Sequence, residues 1–206
     1  VVAPHVGEDQ PGFVAALCRD GELIWSKGCG EASLEWGVPN DRDTVFRLAS
    51  TSKQFTAAAI QLLALDGALD LDAPLTIYLP EFAGLDPVPT VRQMVHHTSG
   101  MRDYLSLMAI MGYDFNASFE LDEVLDVLQL QRGLNFDPGT DWSYSNSNYV
   151  LLPVIVERVS GESFVDFTTS RLFEPLGMTD TQWLDDADRV IERRARGYMP
   201  TGTGWE

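Results

Sequence analysis

The sequence predicts an α+β chain in which a β-hairpin precedes a predominantly helical body. Two observations carry this expectation. Gly12 to Cys18 and Leu23 to Cys29 are strand-like runs flanking Arg19-Asp20-Gly21-Glu22, whose Asp-Gly pair suits a two-residue hairpin turn. From Thr51 the apolar period changes to that of a helix, through Phe55, Ala58, Ala59, Leu62, Leu63 and Leu65, and it returns in later segments. The expected organisation is a hairpin portion over 1–45 and a mainly helical portion over 46–206.

The hairpin turn pairs Cys18 with Leu23 and Gly12 with Cys29. The two thiols then lie at opposite ends, too far apart for a disulfide, which needs Cα atoms within about 7 Å. Two free, mostly buried cysteines are expected. Both faces of the hairpin are apolar, with Phe13, Ala15, Leu17 and Ile24 on one side and Val14, Ala16, Leu23 and Trp25 on the other, a pattern of strands covered by helices. The helix that begins near Thr51 ends at Gly67, and Ser50 sits at or just before its N-terminus. Asp66, Asp70 and Asp72 lack the ligand alternation and central glycine of an EF-hand loop and read as a solvated turn.

Prolines 74, 80, 87 and 89 punctuate a loop-rich connection, after which Thr90 opens a short helix through Val91, Met94 and Val95. His96-His97-Thr98-Ser99-Gly100 follows. Adjacent histidines point in different directions on a regular element, so they read as a loop anchor rather than a metal site. Glu120 to Leu130 is an amphipathic helix with Ser118 as a candidate cap. After the turn Phe136-Asp137-Pro138-Gly139-Thr140 comes Trp142-Ser143-Tyr144-Ser145-Asn146-Ser147-Asn148-Tyr149, then an apolar run from Val150 to Val159 that Pro153 should kink or delay, giving a helix that starts near Tyr149. Phe164 to Phe173 forms another helix, closed by Pro175 and Gly177, and the tail from Val190 shows no clear strand. No internal repeat is present.

Composition limits the partners. The 206 residues are 45% hydrophobic, enough for a sizeable core, and the formal net charge is -17. Such an acidic protein repels phosphate backbones and anionic lipid heads, which argues against nucleic acid. No apolar run approaches the roughly 20 residues that span a bilayer, and Val1-Val2-Ala3-Pro4 lacks the regions of a signal peptide.

Chemistry concentrates at Ser50 and Lys53, the latter one of only two lysines in the chain. Spacing i to i+3 puts both on one helical face, where a deprotonated lysine can accept the serine proton and generate an acyl-transfer nucleophile. The partial positive charge of a helix N-terminus favours negative charge developing there. This spacing alone arises readily by chance. Tyr144 and Asn146, two apart in an extended stretch, project the same way; a phenol relays a proton and a carboxamide holds an amide by donor and acceptor.

Together, Phe46-Arg47-Leu48-Ala49-Ser50-Thr51-Ser52-Lys53-Gln54-Phe55-Thr56, His96-His97-Thr98-Ser99-Gly100-Met101, Pro138-Gly139, Tyr144-Ser145-Asn146 and Pro175-Leu176-Gly177-Met178 resemble the serine β-lactamase and penicillin-binding protein superfamily over about residues 11 to 200. The nearest branch is that of class C β-lactamases, D-alanyl-D-alanine carboxypeptidases and esterases. The resemblance implies a β-lactamase-like α+β fold, a helical lobe packed on an antiparallel sheet lobe of which this chain holds the first hairpin. It implies a serine hydrolase acting on amide, β-lactam or ester carbonyls. Ser50 would be the acylated nucleophile, Lys53 its proton partner, Tyr144 the base for attack and acid for the leaving group, and Asn146 a contact to substrate and lysine. The S-x-x-K element is one of the penicillin-recognising motifs.

The resemblance further implies no metal and no cofactor, a small-molecule or peptide substrate, and a periplasmic or secreted location. One departure stands out: the family's third motif, Lys or His followed by Thr or Ser and Gly, is missing from the sequence, and Thr201-Gly202-Thr203-Gly204 after Pro200 reads as loop. The expectation is a family member cut at both ends, completed by its remaining strands or another chain. The alternatives are a catalytically silent binding module of the same fold and, less favoured, a metal hydrolase around His96 and His97.

Overall fold

A computed structural model describes residues 7, 9–114, 119–186 and 188–206. The chain divides into two compact units: the described residues up to Ala49 together with Leu184–Glu206, and Ser50–Trp183.

The first unit is built on the expected hairpin. Strands β1 (Phe13–Arg19) and β2 (Glu22–Cys29) pair antiparallel around Asp20 and Gly21, both at positive φ as such a turn demands. Cys18 faces Leu23 as expected, but Leu17 faces Trp25, so Ile24 is an extra residue and Cys29 lies opposite Phe13 instead of Gly12. A bulge of this kind shifts every later pair by one position. Both cysteines are free; Cys18, however, is exposed and Cys29 half-buried, so the expectation of mostly buried thiols fails for Cys18. The apolar faces near the turn are open as well, with Leu17 53% and Trp25 46% exposed.

A second short pair, β3 (Glu31–Ser33) and β4 (Val38–Pro39), follows, too brief to leave a pattern in the sequence. The tail is tied to this unit: Val45 N–H donates to Arg193 O, Ala195 N–H to Val45 O and Arg196 N–H to Ala32 O. Glu35 accepts from Tyr198 and from Arg196 (2.6 Å), and the tyrosine bond above all draws its carboxyl down to about 2.

The second unit is helical. Helix α1 (Lys53–Leu65) follows a 3-10 turn over Ala49–Ser52 and stops where Gly67 adopts φ +72, a conformation glycine takes without penalty. The connection from Asp66 to Thr90 runs through short 3-10 turns at Leu75–Ile77 and Pro80–Phe82, which drive Leu75, Leu79 and Phe82 into the core. Asp66 pairs with Arg171 and Asp72 with Arg92, so the acidic loop is anchored by arginines. Helix α2 (Val91–Val95) opens with a capping box, Thr90 accepting from Gln93 N–H while the Gln93 side chain accepts from Thr90 N–H.

Helices α3 (Tyr104–Ile110) and α4 (Leu121–Gln129) pack against each other. The candidate cap Ser118 lies outside the described residues; Glu120 and Glu123 form the capping box of α4. Helix α5 (Asn146–Ser160) begins earlier than the expected start near Tyr149, includes Pro153, and ends on Gly161 at φ +75. The proline forgoes one bond, to the Tyr149 carbonyl four residues back, without ending the helix. α6 (Phe164–Thr168) continues as a π-helical turn over Thr169–Phe173.

α5 is the spine of the core. Its Leu151, Leu152 and Ile155 are buried with Ala59, Ile60 and Leu63 of α1, Met94 of α2, Leu128 of α4 and Phe167 of α6. Each such side chain contributes about 1.5–3 kcal/mol relative to exposure. This packing fixes α1 and α5 against one another and so fixes the site at their N-termini. Among the described residues no helix is long and apolar enough to cross a membrane.

Candidate active site

Four side chains expected from the sequence meet at the N-terminal ends of α1 and α5. Ser50 stands in the 3-10 turn, immediately after Ala49, whose φ of +46 turns the chain sharply before the serine. One turn on, Lys53 Nζ lies 3.1 Å from Ser50 Oγ. Tyr144, 41% exposed, reaches Ser50 from 94 residues away, with 2.8 Å between its hydroxyl and Ser50 Oγ. Lys53 also donates to Asn146 Oδ1 at 3.0 Å, and its ammonium lies 5.0 Å from the centre of the Tyr144 ring.

Electrostatics follow from this packing. On Tyr144 the largest single influence is burial, which raises the phenol, but hydrogen bonds to Lys53 and Ser50 and the lysine charge together outweigh it. The net effect lowers the tyrosine, favouring its phenolate. The phenol oxygen, 2.8 Å from Ser50 Oγ, is in position to exchange a proton with it.

His97 supports the site from behind. At φ +58 it lies among Trp142, Tyr144 and Tyr149, with ring centroids 4.6 Å from Tyr144 and 5.1 Å from Tyr149. Its Nδ1 accepts Ser145 N–H at 3.2 Å, and its own carbonyl accepts Ser143 N–H at 3.0 Å. Burial first and the Lys53 charge second depress this imidazole, keeping it the neutral acceptor that Ser145 requires. His96 is exposed and does not join it. Among the described residues no group of three or more histidine, cysteine or acidic side chains gathers as a metal site.

Several residues of this architecture were not singled out from the sequence. Buried Ser99 donates to Asn148 Oδ1 at 2.8 Å and accepts Met101 N–H. Ser147 donates to Arg102 O at 2.6 Å and accepts Tyr104 N–H at 2.8 Å. Asp103 accepts from both the backbone N–H (2.5 Å) and the carboxamide (2.9 Å) of Asn146. Apart from the Ser99–Met101 bond these contacts span 43 to 49 residues, and the one local signal is an Asp before an apolar helical run, a candidate N-cap. A cavity of about 280 Å³ opens beside Lys53 and Asn146, walled by Thr56, Tyr104, Tyr149, Phe164 and Trp183.

A family model described as Beta-lactamase matches residues 1–206. The chain belongs to the beta-lactamase family. Its fold is accordingly β-lactamase-like. Among similar proteins, a D-aminopeptidase of Cereibacter sphaeroides is 33% identical over 201 residues, covering 94% of this chain and 38% of that protein. Esterase EstB of Burkholderia gladioli is 37% identical over 182 residues, 82% of this chain and 46% of the esterase. The crystal structure of D-amino acid amidase from Ochrobactrum anthropi SV3 complexed with D-phenylalanine superposes with a TM-score of 0.75 at 34% identity, over 94% of this chain and 53% of that one. The chain therefore spans between about two fifths and half of the family members it matches.

Proposed function

We propose that the protein is a serine hydrolase of amide or ester bonds that works through an acyl-enzyme on Ser50. The observation that carries this reading is the convergence on one hydroxyl: Tyr144 at 2.8 Å and Lys53 at 3.1 Å from Ser50 Oγ. Tyr144, its phenolate favoured by Lys53, takes the Ser50 proton as Oγ bonds to the substrate carbonyl carbon. The same proton then passes from Tyr144 to the leaving nitrogen or oxygen as its bond to that carbon breaks. Water repeats the sequence in the second half: Tyr144 accepts a water proton, the hydroxyl oxygen bonds to the acyl carbon, and the Ser50–acyl bond breaks with the proton returned to Oγ.

Lys53, within hydrogen-bond reach of Ser50 and Asn146, offsets charge developing on Tyr144 and on the intermediate. Asn146 restrains Lys53 by its oxygen. The names of the D-aminopeptidase and the D-amino acid amidase support an amide bond next to a D-amino acid as the substrate class, and the aromatic walls of the cavity beside Lys53 suit an apolar side chain.

The test is hydrolysis of a p-nitrophenyl ester and of a D-amino acid p-nitroanilide by the chain and by Ser50→Ala. Turnover reduced to the solvent background in a variant with an unchanged circular dichroism spectrum supports the reading; equal turnover overturns the nucleophile assignment. A stable stoichiometric adduct on Ser50 with no turnover would instead make the chain a binding module of the same fold that captures an acyl donor without releasing it.

A further inference from the structure

We infer that Asp103 is the positioning residue of this site: it fixes which way the Asn146 carboxamide faces and thereby holds Lys53 on Ser50. The inference rests on the serine-hydrolase reading above. A carboxamide's oxygen and nitrogen have nearly the same shape, so packing alone does not choose between its two orientations. Asp103 chooses. Its Oδ2, which already accepts the Asn146 backbone N–H, takes the Asn146 Nδ2 donor at 2.9 Å, which leaves Asn146 Oδ1 turned to Lys53 Nζ at 3.0 Å. In the flipped orientation the carboxamide oxygen would oppose a carboxyl oxygen and its NH2 would oppose the Lys53 Nζ that now donates to Asn146 Oδ1, two like pairings at hydrogen-bond distance.

The same carboxylate also joins two helices. Oδ1 accepts Leu105 N–H at 3.0 Å, capping α3, while Oδ2 accepts Asn146 N–H at 2.5 Å, the first residue of α5. α5 has no cap of its own, since the Ser145 side chain makes no capping bond. The negative charge thus lies at the positive ends of two helices. Tyr104 and Ser147, the neighbours of Asp103 and Asn146, repeat the link between the two loops at 2.8 Å. The geometry runs without a gap from Asp103 through Asn146 and Lys53 to Ser50.

Asp103→Ser separates capping from positioning. Serine is a good cap for α3, but its single short hydroxyl does not serve Leu105 and Asn146 together. Two readouts are measured on the full chain: hydrogen exchange of the Asn146 side-chain NH2 by NMR, assigned by its loss in Asn146→Ala, and the rate at which a fluorophosphonate labels Ser50, by intact mass. We expect exchange to accelerate at least tenfold in Asp103→Ser. Labelling should slow by about 10²-fold, as a misplaced catalytic group does, whereas in an Asn146→Ala background the same change should alter it less than twofold.

Unchanged exchange, or an equal slowing with and without Asn146, overturns the inference. If wild-type chain takes no label, the serine-hydrolase reading has failed and the exchange result alone decides the role of Asp103. Where the serine variant does not fold, Asp103→Asn carries the same cycle, because its one carbonyl oxygen cannot satisfy both Leu105 and Asn146.

Discussion

Asn148→Ala is the sharpest test of how the site is held in place. Asn148 is fully buried in the first turn of α5 and accepts the hydroxyl of Ser99, itself 1% exposed, at 2.8 Å. Truncation strands that hydroxyl, at a cost of about 1–3 kcal/mol. It also leaves a void the size of a carboxamide, about 1 kcal/mol more at the usual cavity coefficient. Alanine's better helix propensity returns up to about 0.7 kcal/mol. The net expectation is a loss of about 1–3 kcal/mol, a fall of roughly 0.5–1.5 M in the urea midpoint at an m-value near 2 kcal/mol/M.

Urea melts followed by circular dichroism at 222 nm, which reports the helical unit, measure it. Ser99→Ala completes a double-mutant cycle, and a coupling of about 1 kcal/mol is expected because both single variants break one bond. A midpoint shift under about 0.3 M, or strict additivity within about 0.3 kcal/mol, refutes the argument that this buried pair anchors the loop to α5.

Tyr144→Phe removes only a hydroxyl from an exposed ring and should fold normally yet lose about 10²–10⁴-fold in ester turnover, read in a chromogenic assay; a change under tenfold contradicts its role as proton relay. His97 has a folded-state affinity for protons below its unfolded value, so its stabilising contribution is full above about pH 6.5 and is lost as pH falls through the depressed value. NMR titration of the His97 ring should therefore give a midpoint below about 6.5, and a midpoint above it would reverse the sign of the linkage. At Gly100, φ is +73 and an added Cβ would sit 2.2 Å from Phe136 O, so Gly100→Ala combines backbone strain with a clash against main chain and should destabilise by about 3 kcal/mol or more. A melting temperature within about 2 °C of wild type would show that the loop relaxes there.

What the sequence made legible was local. The Asp20-Gly21 turn, the helical period from Phe55 to Leu65, the stop at Gly67 and the Thr90 cap each depend on neighbours in the chain and recur in the structure. Ser50 and Lys53 share a helical turn, so their meeting was readable from spacing, and the 94-residue reach to Tyr144 was readable through family resemblance. The bulge at Ile24 was not, because an extra residue in one strand keeps the apolar composition while shifting the pairing. The start of α5 was misread because Pro153 is a strong local signal against a helix, and the bonds that secure Asn146 come from Asp103, 43 residues earlier. The exposed hairpin faces show the same limit, since apolar composition states that a surface should be covered and not what covers it.

The central claim is that Ser50 is the acyl-accepting nucleophile. Intact-mass spectrometry after incubation with a small fluorophosphonate, followed by peptide mapping, tests it most directly. The account predicts one adduct per chain, with fluoride lost, on the peptide bearing Ser50, formed more slowly by Tyr144→Phe and absent from Ser50→Ala. An unmodified wild-type mass, or an adduct that persists in Ser50→Ala, would contradict it.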